Sequence, residues 1–87
     1  MNRTDSVLLD VREERKRQDE KWGEQNHNPF VWLAIIGEEK GEADEAALKS
    51  QFEPDSEKTL EDLRAELVQT AATAVSAIES LDRNELA

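Results

Sequence analysis

Between Leu60 and Leu81 the residues Leu60, Leu63, Leu67, Ala71, Ala74, Ile78 and Leu81 recur at spacings of three and four, the period of one face of an α-helix. Val68, Ala72 and Val75 lie off that line, so the middle of this helix is apolar on nearly every side. Such a helix must be buried around most of its circumference. The chain has 87 residues and no cysteine with which to staple itself, which leaves room for one small domain, residues 1–87, of marginal stability as a monomer. Two further helices cannot surround a third that is apolar all round. The pattern therefore predicts an all-α fold in which an N-terminal helix and a helical hairpin complete a four-helix-bundle core by homo-oligomerisation, as a dimer or tetramer.

The other elements follow from local chemistry. Ser6 or Asp5 is placed to cap a first helix that runs to about Lys21, with Val7, Leu8 and Val11 on its apolar side and Gln18 and Trp22 extending that side. Its charges mix both signs, including Glu13 and Arg17 at the spacing of an ion pair. Gly23 ends it, and Gly23–Pro29 has the composition of a loop that holds the single histidine, His27. Asn28 is the natural cap of a second helix that begins at Pro29 and reaches about Ser50. Gly37 and Gly41, four apart, lower its helix propensity but let another backbone come close. Gln51–Asp55, with Pro54 inside it, breaks the pattern. Ser56 or Thr59 opens the third helix, Thr59 and Asp62 forming a variant capping box, and from Asp82 the chain is expected to fray. A loop this short makes helices two and three antiparallel neighbours.

The formal net charge of −10 argues against direct binding to a nucleic-acid backbone, which requires clustered Lys and Arg. The longest apolar run falls short of the roughly 20 residues of a membrane helix, and the first residues lack a signal pattern. With no thiols, the expectation is a cytoplasmic protein.

The acidic charge is concentrated after the apolar run Phe30–Ile36. Glu38, Glu39, Glu42 and Glu45 lie three and four apart, hence on one broad helical face. Like charges there cost a few tenths of a kcal/mol per pair, a sign that a hard divalent cation with oxygen ligands reverses. An antiparallel hairpin brings Glu39 and Glu42 beside Glu66 and Gln69, a second pair three apart at the edge of the apolar segment. Facing helices that each offer such a pair are a common way to build a carboxylate metal site.

Glu38-Glu39-x-x-Glu42 followed by Glu66-x-x-Gln69 resembles the EExxE…ExxD signature of the all-α nucleotide pyrophosphohydrolases, the MazG-like proteins to which dCTP pyrophosphatases and dimeric dUTPases are related. Gln25–Pro29 with Trp32–Glu38 looks like the family's entry to its metal helix, and Arg15-x-Arg17-Gln18-Asp19-Glu20-Lys21-Trp22-Gly23 like the opening of its short phage and prophage members. The likeness covers about Arg12 to Leu81. It implies hydrolysis of a nucleoside or deoxynucleoside triphosphate to the monophosphate and pyrophosphate, with Mg²⁺ or Mn²⁺ as cofactor. Glu39, Glu42 and Glu66 are then metal ligands and Gln69 takes the fourth position. Glu38 and Glu45 are the catalytic carboxylates, which bind a second ion or orient the attacking water. Trp22, His27 and Trp32 form the base pocket.

Two departures stand out. Gln69 replaces the signature's final Asp, and its amide brings no charge to an ion. The sequence also ends at Ala87, without the Lys/Asn/Arg segment that relatives use for phosphates, so Lys40, Arg64 or a second subunit must substitute. Both departures support a rival expectation, a catalytically weak relative that binds a nucleotide or a protein through an acidic surface.

Overall fold

The computed structural model describes residues 1–52 and 55–85, and no strand occurs among them. The three helices are α1 (Arg3–Trp22), α2 (Pro29–Phe52) and α3 (Ser56–Asn84). The fold is all-α. Among the described residues no helix is long and apolar enough to cross a membrane.

α1 starts earlier than its charge pattern suggests. Asn2, rather than Ser6 or Asp5, is the cap, its side chain accepting from the Asp5 N–H at 2.8 Å. The predicted Glu13–Arg17 pair is also replaced: Arg17 bonds Glu14, and Glu13 takes Lys16 at 3.4 Å. Gly23 closes the helix at φ 73°, donating to the Asp19 carbonyl at 2.8 Å, a left-handed position that favours glycine. Asn28 caps α2 through the Val31 N–H at 2.9 Å, with Pro29 in the first turn, where its missing N–H costs nothing. α2 continues to Phe52, two residues beyond the expected Ser50. The expected break at Glu53 and Pro54 lies outside the described residues. Asp55 caps α3 by accepting from the Lys58 N–H at 3.2 Å. Thr59 is thus inside the helix rather than at its start. α3 stays helical through Asn84, past the expected fraying point.

α2 and α3 run antiparallel, since the C-terminal half of α2 (Glu42, Glu45) flanks Thr59 and Glu66 while Trp32 and Glu39 flank Thr73 and Ser76. α1 lies along α3 in the parallel sense. It is tied there by Arg64–Asp10 at 2.6 Å, Arg15–Glu79 at 2.8 Å and a Gln18–Thr73 hydrogen bond at 3.4 Å. The loop after α1 is clasped to the end of α3, where Asn26 Oδ1 accepts from Arg83 at 3.0 Å and Asn84 at 2.7 Å.

The buried face of α3 is not its leucine stripe. α3 buries Thr59, Ala72, Thr73, Ser76, Ala77 and Ser80, of which Thr59, Thr73 and Ser76 lie opposite α2, whose own buried residues are Trp32, Ala43 and Ala46. The hydroxyls of Thr73 and Thr59 are satisfied by carbonyls one turn back, at 2.9 and 3.2 Å, the usual solution for such residues inside a helix. Leu60, Leu67 and Ile78, the bulk of the apolar stripe, are more than half exposed on the single chain. Small residues let two backbones come close, and the large ones are turned away from the intrachain core.

Candidate metal centre

Glu39 and Glu42 project from α2 toward Glu66 of α3, and one carboxylate oxygen from each lies within 4.8 Å of the other two. The helical period brings this about: Glu39 and Glu42 share the face of α2 that carries Trp32, Ala43 and Ala46, and Glu66 shares the inner face of α3. Glu39 and Glu66 are half-buried and Glu42 is exposed.

Burial pushes the Glu39 carboxyl above its ordinary value, and the charges of Glu42, Glu38 and Glu14 push it further, against the pull of Arg17. Glu66 is raised first by burial, then by a hydrogen bond shared with Glu42 and by the charges of Glu42, Glu39 and Asp62. Glu39 Oε2 and Glu66 Oε2 are buried with no hydrogen-bond donor. A buried carboxylate oxygen without a donor is costly. Three hard oxygen donors at this separation, two of them orphaned, suit a divalent cation that prefers carboxylates and water.

Concavities flank the cluster on both sides. Toward the α2–α3 turn, a groove of about 400 Å³ is walled by Glu42, Glu45, Lys49, Thr59, Asp62 and Glu66. Toward α1, a smaller cavity of about 160 Å³ is bounded by Gln18, Trp22, Gln25, Trp32, Glu39 and Thr73. Glu39 therefore borders the small cavity, and Glu42 and Glu66 the acidic groove. Trp32 is 2% exposed, and the His27 ring meets it edge-on with centroids 4.9 Å apart. Trp32 Nε1 and His27 Nε2 are also buried without a partner. Trp32 and Glu39 border the small cavity, His27 lies against Trp32, and Glu66 joins Glu39 in the carboxylate cluster.

The remaining expected residues fall in distinct places. Trp22 borders the small cavity with one face under the Lys21 ammonium, 4.6 Å from the ring centroid. Glu45 lines the acidic groove and Glu38 is exposed beside Glu39. Gln69 is half-buried one turn beyond Glu66. Lys40 pairs with Asp44 at 3.0 Å, and Arg64 is held by Asp10. Sequence reasoning missed the α1 contribution, Gln18, which borders the small cavity with Glu39 and arrives there through the α1–α3 contact. It also missed Asp62, four residues before Glu66 on the same face. That spacing was the available signal.

No family model, curated protein or solved structure matches this chain. Its chemistry rests on its own geometry.

Proposed function

We propose that the chain is a Mg²⁺-dependent nucleoside triphosphate pyrophosphohydrolase with a MazG-like helical core completed by a second copy of itself. The observation that carries this reading is the convergence of three carboxylates, two with a buried oxygen that has no donor, beside a cavity walled by Trp22, Trp32 and Glu39. A cavity of about 160 Å³ is small beside the roughly 300–1,000 Å³ of pockets for drug-sized ligands. It suits one ring system, such as a nucleobase, rather than a whole nucleotide. The indole N–H of Trp32 is a donor without an acceptor, which a ring carbonyl or nitrogen would supply.

Glu39, Glu42 and Glu66 hold the ion in this reading, and Gln69 sits one turn on. When bound, Mg²⁺ neutralises phosphate charge and lowers the pKa of a water. The phosphates lie toward the wider acidic groove, away from the indoles. Glu38 and Glu45 flank the ligand set and have the reach to hold the attacking water and accept its proton.

The assembly follows from exposed apolar area. Leu60, Leu67, Val75 and Ile78 are each 37–56% exposed, and covering what remains exposed contributes about 1 kcal/mol apiece, roughly half the value for full burial. A partner's α3 stripe offers the matching surface, in a dimer or a dimer of dimers.

The test is pyrophosphate release from each NTP and dNTP with Mg²⁺, alongside Glu42→Gln. Release from at least one substrate that is lost in the variant is the expected result. Silence from every substrate at high protein concentration, with Mn²⁺ still bound, would instead favour a nucleotide- or protein-binding module. The pairing of Lys40 and Arg64 with carboxylates favours that second reading, because it leaves neither cation uncommitted for phosphate.

A further inference from the structure

A triphosphate that comes to rest beside three carboxylates needs a cation from the protein, and most are already paired. Arg15 is on Glu79 and Asp19, Lys16 on Glu13, Arg17 on Glu14, Lys40 on Asp44, Arg64 on Asp10 and Arg83 on Glu24. The Lys21 ammonium rests on the Trp22 ring. Lys49 differs from all of these. It is the one cation among the described residues that walls the acidic groove with Glu42 and Glu66. Among those residues it also has no ion pair, although Glu45 precedes it by four, the spacing at which a helix-surface pair forms.

The groove has a direction. Because α2 and α3 are antiparallel, Glu42 and Glu66 mark its cluster end, Glu45 and Asp62 its middle, and Lys49 and Thr59 the end toward the turn. On α2, residues 42, 45, 46 and 49 follow the helical period and share one face. The backbone of Lys49 lies about 10 Å along the helix axis from that of Glu42, at a rise of about 1.5 Å per residue. Its Cα–Cβ bond tilts toward the helix N-terminus, and so toward the cluster.

We propose that Lys49 binds the two phosphates that leave as pyrophosphate. The assignment rests on the pyrophosphohydrolase reading above, in which the base enters the small cavity on one side of the cluster and the phosphates extend into the groove on the other. In that reaction a water oxygen bonds to the α-phosphorus and the water's proton passes to a flanking carboxylate. The bond from that phosphorus to the α–β bridging oxygen breaks, and its electron pair stays on pyrophosphate. Negative charge therefore grows toward the turn end of the groove, where an ammonium with three donors meets it. Before substrate arrives, the same ammonium moderates the mutual repulsion of Glu42, Glu45, Asp62 and Glu66. A plainer role is also open to a lysine in the last turn of α2, since a cation there complements the helix dipole. The two roles differ in what they predict.

Calorimetric titration separates them, with Mn²⁺ alone and then with inorganic pyrophosphate in saturating Mn²⁺. The proteins are wild type, Lys49→Gln, Lys49→Arg and Lys16→Ala. Lys49 is exposed, so neither substitution there disturbs a core. Lys16, paired with Glu13, borders neither concavity and controls for the lost charge. Lys49→Gln should take up Mn²⁺ at least as tightly as wild type, because a positive charge has left the ion's surroundings. It should bind pyrophosphate about tenfold or more weakly, the scale of a lost charge-assisted bond. Lys49→Arg should retain most of that affinity, and Lys16→Ala should stay within about twofold of wild type, the scale of a screened surface charge. Equal pyrophosphate affinity in wild type and Lys49→Gln, even with a lower melting temperature, assigns Lys49 to the helix end and overturns the proposal. An equal loss in Lys16→Ala overturns it too, and the metal reading stands in both cases. Wild type that takes up Mn²⁺ but no pyrophosphate also overturns the proposal. Failure of wild type to take up Mn²⁺ overturns the metal reading and the proposal with it.

Discussion

Replacing Glu66 with Gln should make the metal-free protein more stable at neutral pH. The cluster's donor oxygens lie within 4.8 Å of one another, and two unit charges at that separation repel by about 3.5 kcal/mol at an effective dielectric of about 20 and by under about 1 kcal/mol in water. Glu66 is half-buried but Glu42 is exposed, so screening places the relief from removing both Glu66 pairs at about 1–2 kcal/mol. For a domain of this size that corresponds to a rise in Tm of roughly 5–15 °C. The sign with pH follows from linkage. The folded carboxyls of Glu39 and Glu66 are raised above their ordinary 4.5, chiefly by burial and then by their acidic neighbours. Their stabilising contribution is therefore complete below about pH 4.5 and is lost as pH rises through the raised folded values. Thermal melts in chelator should show Glu66→Gln ahead of wild type near pH 7.5 and level with it near pH 4, where both carry a neutral side chain. Millimolar Mn²⁺ should then raise wild type more than the variant, because it binds the native cluster. A variant that melts at or below wild type at neutral pH in chelator, or whose advantage persists in acid, would refute the reasoning.

Three other expectations can be checked independently. A charge on the exposed apolar surface of α3, Val75→Glu or Ile78→Glu, should shift an assembled wild type to monomer or unfold it, since a buried unpaired charge costs several kcal/mol; sedimentation velocity that gives a folded wild-type monomer at micromolar concentration would sink the assembly. Gln69→Asp should tighten Mn²⁺ binding tenfold or more in calorimetry by adding charge beside the ion, and equal affinities would remove Gln69 from the site. Asn26→Ala strips the acceptor shared by Arg83 and Asn84 and should cost about 1–2 kcal/mol in chemical denaturation, with unchanged stability showing that the clasp is idle.

Much of this protein was legible in local signals. Gly23 as a stop, and Asn28 with Pro29 as a start, depend on the backbone and the nearest few side chains, so they could be read from adjacent residues. The proximity of Glu39, Glu42 and Glu66 was also within reach, because helical period and a short turn suffice to bring them to one seam. The first cap was misread because Asn2, Asp5 and Ser6 are all competent acceptors and only the packed chain selects among them. What tertiary structure decided was which face of α3 meets α2. Hydrophobic pattern ranks residues by their gain on leaving water but does not say which neighbour they leave it for. Within one chain α3 presents Thr73 and Ser76 to α2, small side chains that allow the close approach on which the carboxylate cluster depends, and Leu60, Leu67 and Ile78 remain outside. Placement of Gln18 at the cavity that Glu39 borders was likewise beyond the sequence, since a contact between α1 and the hairpin is set by packing across dozens of residues and leaves no periodic trace.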